Sequence, residues 1–195
     1  MKKNNILFLV WAIFFPFYLL GLFSCQSLPK NIKRLEKNGG FLHIPTKITI
    51  PTQIGNLYLY DIYSYDALGN DISFSYSLKN DNIIIITFYI FPRKNRNPQK
   101  IYEDSKKSIE IKNDKYELLL DSVFTLKQND KEFIGKFCKY RVPDFIHNLR
   151  NDITDLYLFW NEDWFFEYRI TYLEKEKENL LQSINQVMNT LILAN

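Results

Sequence analysis

The sequence is poor in the residues from which many catalytic and metal sites are built. Among 195 residues there are 2 cysteines, 2 histidines and 6 glycines. There is no Gly-rich phosphate loop, no Gly-x-Ser-x-Gly elbow, no Cys-x-x-Cys pair and no His-Glu-x-x-His motif. No recognised catalytic class follows from these residues, and we predict neither a cofactor nor a bound metal.

An excess of charge of one sign is also missing. Lys and Arg total 25 against 22 Asp and Glu, which is a net charge of +3 at pH 7. A protein this close to neutral is not a general binder of polyanions, so no nucleic-acid partner is predicted. The hydrophobic share of 46% and the aromatic share of 16% indicate a single globular domain with a sizeable core.

What the sequence does have is a long apolar segment at its start. Met1–Asn5 is a short cationic head, and the stretch from Ile6 to Ser24 carries no charged side chain. This layout is typical of a secretory signal. We therefore predict that residues 1–24 are a signal peptide and that the remainder works outside the cytoplasm.

The segment ends in Leu22-Phe23-Ser24-Cys25. This sequence resembles the lipobox of bacterial lipoproteins, although Phe23 stands where a small residue is usual. The resemblance implies that Cys25 becomes the first residue of the mature chain and carries acyl chains. Membrane lipid would then be a partner through Cys25, and the protein would be anchored in the cell envelope.

Two other interpretations of the same segment stay open. An uncharged apolar run of this length can also span a bilayer as an uncleaved helix, since spanning takes roughly 17 to 25 residues. Lysines and arginines flank the run on both sides, so the positive-inside rule does not choose an orientation. The segment could also be cleaved and the domain released. All three interpretations place the domain outside the cytoplasm.

Residues 25–40 are polar and basic and end in Gly39-Gly40, which favours a lipid-anchored tether before a single domain at 41–195. Within that domain, Ile72–Leu78 alternates between apolar residues and serines, a pattern typical of a strand with one lightly covered face. In Ile83–Phe91 the residues that point to either side of a strand are apolar, which predicts a strand that is covered on both faces at the centre of the sheet.

The second half of the domain predicts further elements. A helix is expected from Ile101 to about Lys112, and the helix and strand patterns tie at 116–120. Two hairpins should follow, made of Ser122–Gln128 with Lys131–Val142 and of Thr154–Trp160 with Trp164–Tyr172. From about Glu174, an apolar stripe at helical spacing predicts a long amphipathic helix. The stripe comprises Leu180, Leu181, Ile184, Val187, Met188, Leu191 and Ile192.

These elements predict an α+β fold: a mostly antiparallel sheet with one helix in mid-chain and a long amphipathic C-terminal helix packed on it. The last strand, ending in Arg169-Ile-Thr-Tyr172 and running into a terminal helix, resembles the end of the PsbP-like fold. The resemblance covers about the last quarter of the chain, and it implies a fold without implying a function.

Candidate site residues are few. Asp144, His147 and Asp152, in and beside the predicted loop Pro143–Asp152, could offer ligands to a divalent metal. We favour a solvated loop instead, with Asp155 and these carboxylates capping turns and pairing with Arg150. Glu167 and Arg169 should form a surface ion pair.

The two cysteines have different predicted roles. With Cys25 bearing lipid, Cys138 is the only remaining thiol, so no internal disulfide can form. We interpret Cys138 as a core residue in a strand rather than as a nucleophile paired with His147.

A possible contact surface comprises Trp160, Trp164, Asp144 and His147. Trp160 and Trp164 bracket the tip of the last hairpin, where we expect the two indoles to lie opposite each other. The favoured function is a lipid-anchored cell-envelope protein with a non-catalytic domain that binds a ligand, a wall component or another envelope protein. The alternative is an exported hydrolase or metal-dependent enzyme with an unrecognised site.

Overall fold

The computed structural model describes residues 33–35, 39–78, 81–111, 115–128, 131–142 and 152–174. The predicted signal, Cys25 and the predicted C-terminal helix lie outside these ranges. The described chain forms eleven strands and one helix. In chain order these are β1 (Lys33–Arg34), β2 (Phe41–His43), β3 (Ile48–Ile50), β4 (Gln53–Ile54), β5 (Leu57–Ser64), β6 (Ile72–Leu78), β7 (Asp81–Pro92), α1 (Pro98–Glu110), β8 (Glu117–Gln128), β9 (Lys131–Val142), β10 (Asp152–Trp160) and β11 (Trp164–Leu173).

Nine of these strands form one sheet. Its order is β1-β5-β6-β7-β11-β10-β9-β8, with β4 also pairing with β5. All of its pairings are antiparallel. β7 lies in the middle of the sheet, as predicted from the apolar residues on both of its sides. β2 and β3 form a separate two-stranded hairpin.

The predicted antiparallel sheet and the mid-chain helix are confirmed, and several boundaries differ. The sheet begins at Lys33–Arg34, within the stretch that we interpret as a tether. The helix starts at Pro98 rather than at Ile101, because Asn97 caps it by accepting a hydrogen bond of 2.8 Å from the backbone amide of Gln99. The region 116–120, where the two patterns tie, belongs to strand β8 from Glu117 onward.

One face of the sheet, the hairpin face, packs against β2 and β3. Ile48 and Ile50 of β3 are 2% and 0% exposed and join a core that is rich in aromatic rings. Phe88 of β7 lies at its centre, stacked on Phe74 of β6 at 5.0 Å and edge-on to Tyr168 of β11 at 4.4 Å. Ring pairs of this kind add to the apolar burial that stabilises the sheet.

The opposite face, the helix face, packs against α1. Tyr102 and Ile109 of the helix join Cys138, Leu156 and Phe165 in a second buried cluster. The contacts of α1 therefore lie on β8 to β11. On β5 to β7 the same face carries mainly serine, threonine and tyrosine. The serines of β6 point to this side, and their partners in β5 and β7 include tyrosines and a threonine.

The antiparallel order brings several connections to one end of the sheet. The β5–β6 connection (65–71), the β7–α1 connection (93–97) and the β10–β11 turn (161–163) all lie there. The β2–β3 turn (44–47) reaches the same end, since the ring of His43 lies 5.3 Å from that of Trp164. We call this the entry end, because β1 begins beside the last residue of β5.

Candidate functional site

The best-formed polar surface is the helix face of β5, β6 and β7, which we call the hydroxyl face. Its register places Ser75 between Asp61 and Thr87, and Ser73 between Tyr63 and Tyr89. Directly paired residues of antiparallel strands project from the same side of the sheet. This surface is therefore lined mainly by neutral hydroxyls that both donate and accept hydrogen bonds, with the carboxylate of Asp61 beside Ser75.

Hydrogen bonds order the hydroxyl face. Ser75 Oγ lies 3.1 Å from Thr87 Oγ1, and Tyr65 Oη lies 2.7 Å from Ser73 Oγ. Ser75 and Thr87 are half-buried, whereas Ser73 is only 4% exposed. The face is thus more covered at Ser73 than the alternating pattern predicts, and it is accessible at the Ser75–Thr87 pair.

A buried carboxylate borders the hydroxyl face where it meets α1. Glu167 is 3% exposed and accepts a hydrogen bond of 2.6 Å from Ser105 Oγ of α1. Its other oxygen accepts from Arg169 Nε. The prediction of a surface ion pair between Glu167 and Arg169 is therefore wrong in its location, because α1 packs over the carboxylate.

This ion pair orients a cation toward the hydroxyl face. The guanidinium carbon of Arg169 lies 5.2 Å from the ring centroid of Tyr89, within the range of a cation–π contact. Burial raises the pKa of Tyr89, while the charge of Arg169 lowers it in part. Tyr89 is thus a neutral hydroxyl at physiological pH, beside a guanidinium held in place by Glu167.

Cys138 belongs to the helix-face core. It is 0% exposed, and burial raises the pKa of its thiol to about 12. Above it, Asp121 accepts hydrogen bonds from Tyr102 Oη at 2.7 Å and from Lys106 Nζ at 2.6 Å, which ties α1 to β8. The predicted core role fits this environment, since a buried neutral thiol is a poor nucleophile. His147 lies outside the described residues.

The predicted polar constellation is only partly described. Asp144, His147 and Arg150 lie outside the described residues. Asp152 and Asp155 are in β10 and are 0% and 5% exposed, so they are not solvated turn caps as predicted.

Asp155 has partners that sequence reasoning missed. Its two carboxylate oxygens lie 3.1 Å from Lys139 Nζ and 3.1 Å from Tyr172 Oη. Burial raises the pKa of Tyr172, and the charge of Asp155 adds to the effect. Lys139 and Asp155 face each other across β9 and β10, but the long connection between those strands hides their register in the sequence.

The two tryptophans at the last hairpin do not form the predicted pair. Trp160 pairs with Phe165 and Trp164 pairs with Pro92, so the indoles lie on opposite faces of the sheet. Pairing closes one residue later than we expected, so Trp160 projects from the face opposite to that of Trp164. Trp160 packs with the helix-face core, and Trp164 packs with the hairpin-face core.

His43 is a further titratable residue that the sequence did not single out. It is 0% exposed, its Nδ1 lies 2.6 Å from Thr46 Oγ1, and its ring contacts Trp164 edge-on. Burial lowers the pKa of His43, and backbone carbonyls of Asn70 and Gly69 oppose that effect. The imidazole is neutral at physiological pH and serves to pack the hairpin onto the sheet.

Within the described ranges, no three His, Cys, Asp or Glu side chains are grouped closely enough to hold a metal ion. None of the helical residues in the same ranges forms a segment with the length and apolar character of a membrane span.

Several solved structures are similar to this chain. The solution structure of cyanobacterial PsbP (CyanoP) from Synechocystis sp. PCC 6803 matches with a TM-score of 0.46 and 10% identity, over 87% of this chain and 97% of that chain. A protein of unknown function, PA94 from Pseudomonas aeruginosa, matches with a TM-score of 0.44 and 13% identity, over 72% of this chain and 99% of that chain. No protein-family model and no curated protein sequence matches. The similarity to a PsbP-like fold extends over most of the chain and concerns the fold alone.

Proposed function

We propose that this chain is an exported, lipid-anchored protein of the cell envelope whose domain binds a ligand without catalysing a reaction. The charge-free segment that ends at Cys25 supports the export and the anchor. The hydroxyl face supports the binding role, and it is the observation that carries the proposal. It combines half-buried hydroxyls, a tyrosine ring and a fixed guanidinium on rigid strands.

The chemistry of the hydroxyl face suits a polyhydroxylated ligand. Ser75 and Thr87 can each donate to and accept from a sugar hydroxyl, while Tyr89 offers a ring with a polar tip. Glu167 neutralises Arg169, and Asp61 adds a carboxylate beside Ser75, so the surface has no excess positive charge to attract a polyanion. A glycan strand of the cell wall has this character, and we take it as the ligand.

The predicted C-terminal helix is part of the proposal. Residues 174–195 follow β11 directly, and their apolar stripe has the helical spacing of a segment that packs on a protein surface. We take this segment to be a helix that completes the domain.

Binding of wall glycan by detergent-solubilised full-length protein tests the proposal. Purified wall sacculi should sediment the protein. Thr87→Val removes a hydroxyl from the face without changing side-chain size, and Tyr89→Phe removes another. Each should weaken binding by up to roughly tenfold, the equivalent of one hydrogen bond.

Thr125→Val is the matched control, because Thr125 is an exposed threonine on β8, away from the hydroxyl face. It should bind as the unmodified protein does. Equal binding by all variants would show that the hydroxyl face is not the glycan site. No sedimentation of the unmodified protein would refute glycan as the ligand.

A further inference from the structure

Exposed apolar side chains stand at the tips of two turns of the entry end. Leu68 in the β5–β6 connection is 83% exposed, and Ile44 in the β2–β3 turn is 69% exposed. The two turns are neighbours, since backbone groups of Gly69 and Asn70 lie close enough to the imidazole of His43, the residue before Ile44, to raise its pKa in part. Adjacent exposed apolar tips are a feature of surfaces that contact a partner or a membrane.

Cations surround these tips. Lys47 is exposed in the same turn as Ile44, and Lys94 and Arg96 are exposed in the β7–α1 connection. That connection is held in shape, because Arg93 donates through Nη1 to the backbone oxygen of Asn161 at 2.9 Å. Apolar tips among lysines and arginines match the interface of a bilayer that contains anionic lipid.

Acidic side chains also lie at the entry end, and two of them have local partners. Asp66 Oδ1 accepts a hydrogen bond of 2.8 Å from the backbone amide of Asn70. Burial raises the pKa of Asp71, whereas Arg96 and Lys94 lower it in part. Glu162 and Asp163 are exposed in the β10–β11 turn, next to the β7–α1 connection. The guanidinium of Arg96 stacks over Phe91 and Phe165 on the helix face, so the exposed lysines Lys47 and Lys94 are the cations considered for contact with lipid.

The path of the chain points to the same end. β1 runs antiparallel to β5, and Lys33 pairs with Ser64, the last residue of β5. Lys33, the first described residue, therefore lies at the entry end. Cys25 precedes Lys33 by eight positions, which span at most about 28 Å when fully extended.

We propose that the entry end docks on the membrane surface, with Leu68 and Ile44 entering the interface and Lys47 and Lys94 contacting anionic headgroups. This inference rests on the proposed anchor at Cys25, because a short tether holds the entry end near the bilayer. The β4–β5 turn at the opposite end then points away from the membrane. The anchor retains the protein, and docking fixes its orientation.

Depth-dependent quenching in vesicles tests the docking. The full chain is reconstituted in phosphatidylethanolamine with phosphatidylglycerol, with a fluorophore on Ala67→Cys or, as the distal control, on Asn56→Cys in the β4–β5 turn. Cys138 is fully buried and stays unlabelled in the native protein. Lipids with a quencher at the headgroup should quench the label at position 67 and leave the label at position 56 unquenched.

Paired variants locate the contact. Leu68→Asp combined with Ile44→Asp should abolish quenching at position 67 while the protein still floats with the vesicles. Val123→Asp, which charges an apolar side chain 60% exposed on β8, should leave quenching intact. Equal quenching at positions 67 and 56 would overturn the docking proposal. Failure of the unmodified chain to float with the vesicles would instead refute the anchor, so the two failures are distinguishable.

Discussion

Ser105→Ala should destabilise the domain by about 2 kcal/mol. Ser105 is 7% exposed, and it donates a 2.6 Å hydrogen bond to the carboxylate of Glu167, which is 3% exposed. A hydrogen bond to a charged group contributes about 1.5 to 3 kcal/mol, and its loss leaves one carboxylate oxygen without this donor in a buried place. Arg169 still bonds to the other oxygen, so we expect a value inside that range.

Urea unfolding followed by tryptophan fluorescence measures this change. The midpoint should fall while the slope with denaturant stays constant. Ser108→Ala is the matched control, because Ser108 lies on the same helix and donates to the backbone oxygen of Ser105 rather than to the sheet. Its effect should stay within about 0.5 kcal/mol.

A double-mutant cycle isolates the interaction. Glu167→Gln combined with Ser105→Ala should cost less than the sum of the single changes, since both remove the same contact. Additive costs, or equal effects of Ser105→Ala and Ser108→Ala, would refute the claim that the Ser105–Glu167 bond holds α1 on the sheet.

Three further changes follow from buried groups. Burial lowers the pKa of His43 from 6.5, so the unfolded state binds the proton more readily than the folded state does. The free energy of unfolding should therefore fall as the pH drops below about 6.5. His43→Gln should flatten that part of the pH profile of unfolding. Gly135→Ala should destabilise by about 1 to 3 kcal/mol in urea unfolding, because a Cβ there would lie 2.6 Å from the backbone oxygen of Leu158 and from the ring of Phe124. A neutral effect would show that the strand shifts freely. Cys138→Ala should cost on the order of 1 kcal/mol. Alkylation of the native thiol at neutral pH should be slow, and rapid modification would contradict its burial.

Local patterns in the sequence identify much of the sheet. Ile72–Leu78 alternates cleanly and forms β6 with those bounds, and the apolar run before Phe91 forms the central strand. Such strands are predictable because burial on one face or on two faces leaves a direct trace in residue order. The two late hairpins follow for the same reason.

Long-range placement leaves no such trace. Two residues, Lys33 and Arg34, pair with the distant end of β5, and nothing in so short a stretch signals a strand. The sequence alone indicates that Glu167 is a surface residue, because nothing in it shows that α1 packs over this side chain. Whether Trp160 and Trp164 share a face of the sheet depends on one residue of turn length, because a shift of one residue in the pairing turns a side chain to the opposite face.

The candidate surface was only partly foreseeable. The serines of β6 mark one side of a strand as polar, but the neighbours of that side come from β5, β7 and β11, which only the strand order defines. Arg169 likewise reaches Tyr89 across two strands that are far apart in the chain.

The mass of the N-terminal peptide of protein isolated from membranes decides whether the chain is lipid-anchored at Cys25. We expect a chain that begins at Cys25 and whose first residue carries acyl chains, and we expect Cys25→Ser to leave residues 1–24 attached. An unmodified Cys25 within an uncleaved chain, or a mature N-terminus at another residue, would contradict the lipid anchor.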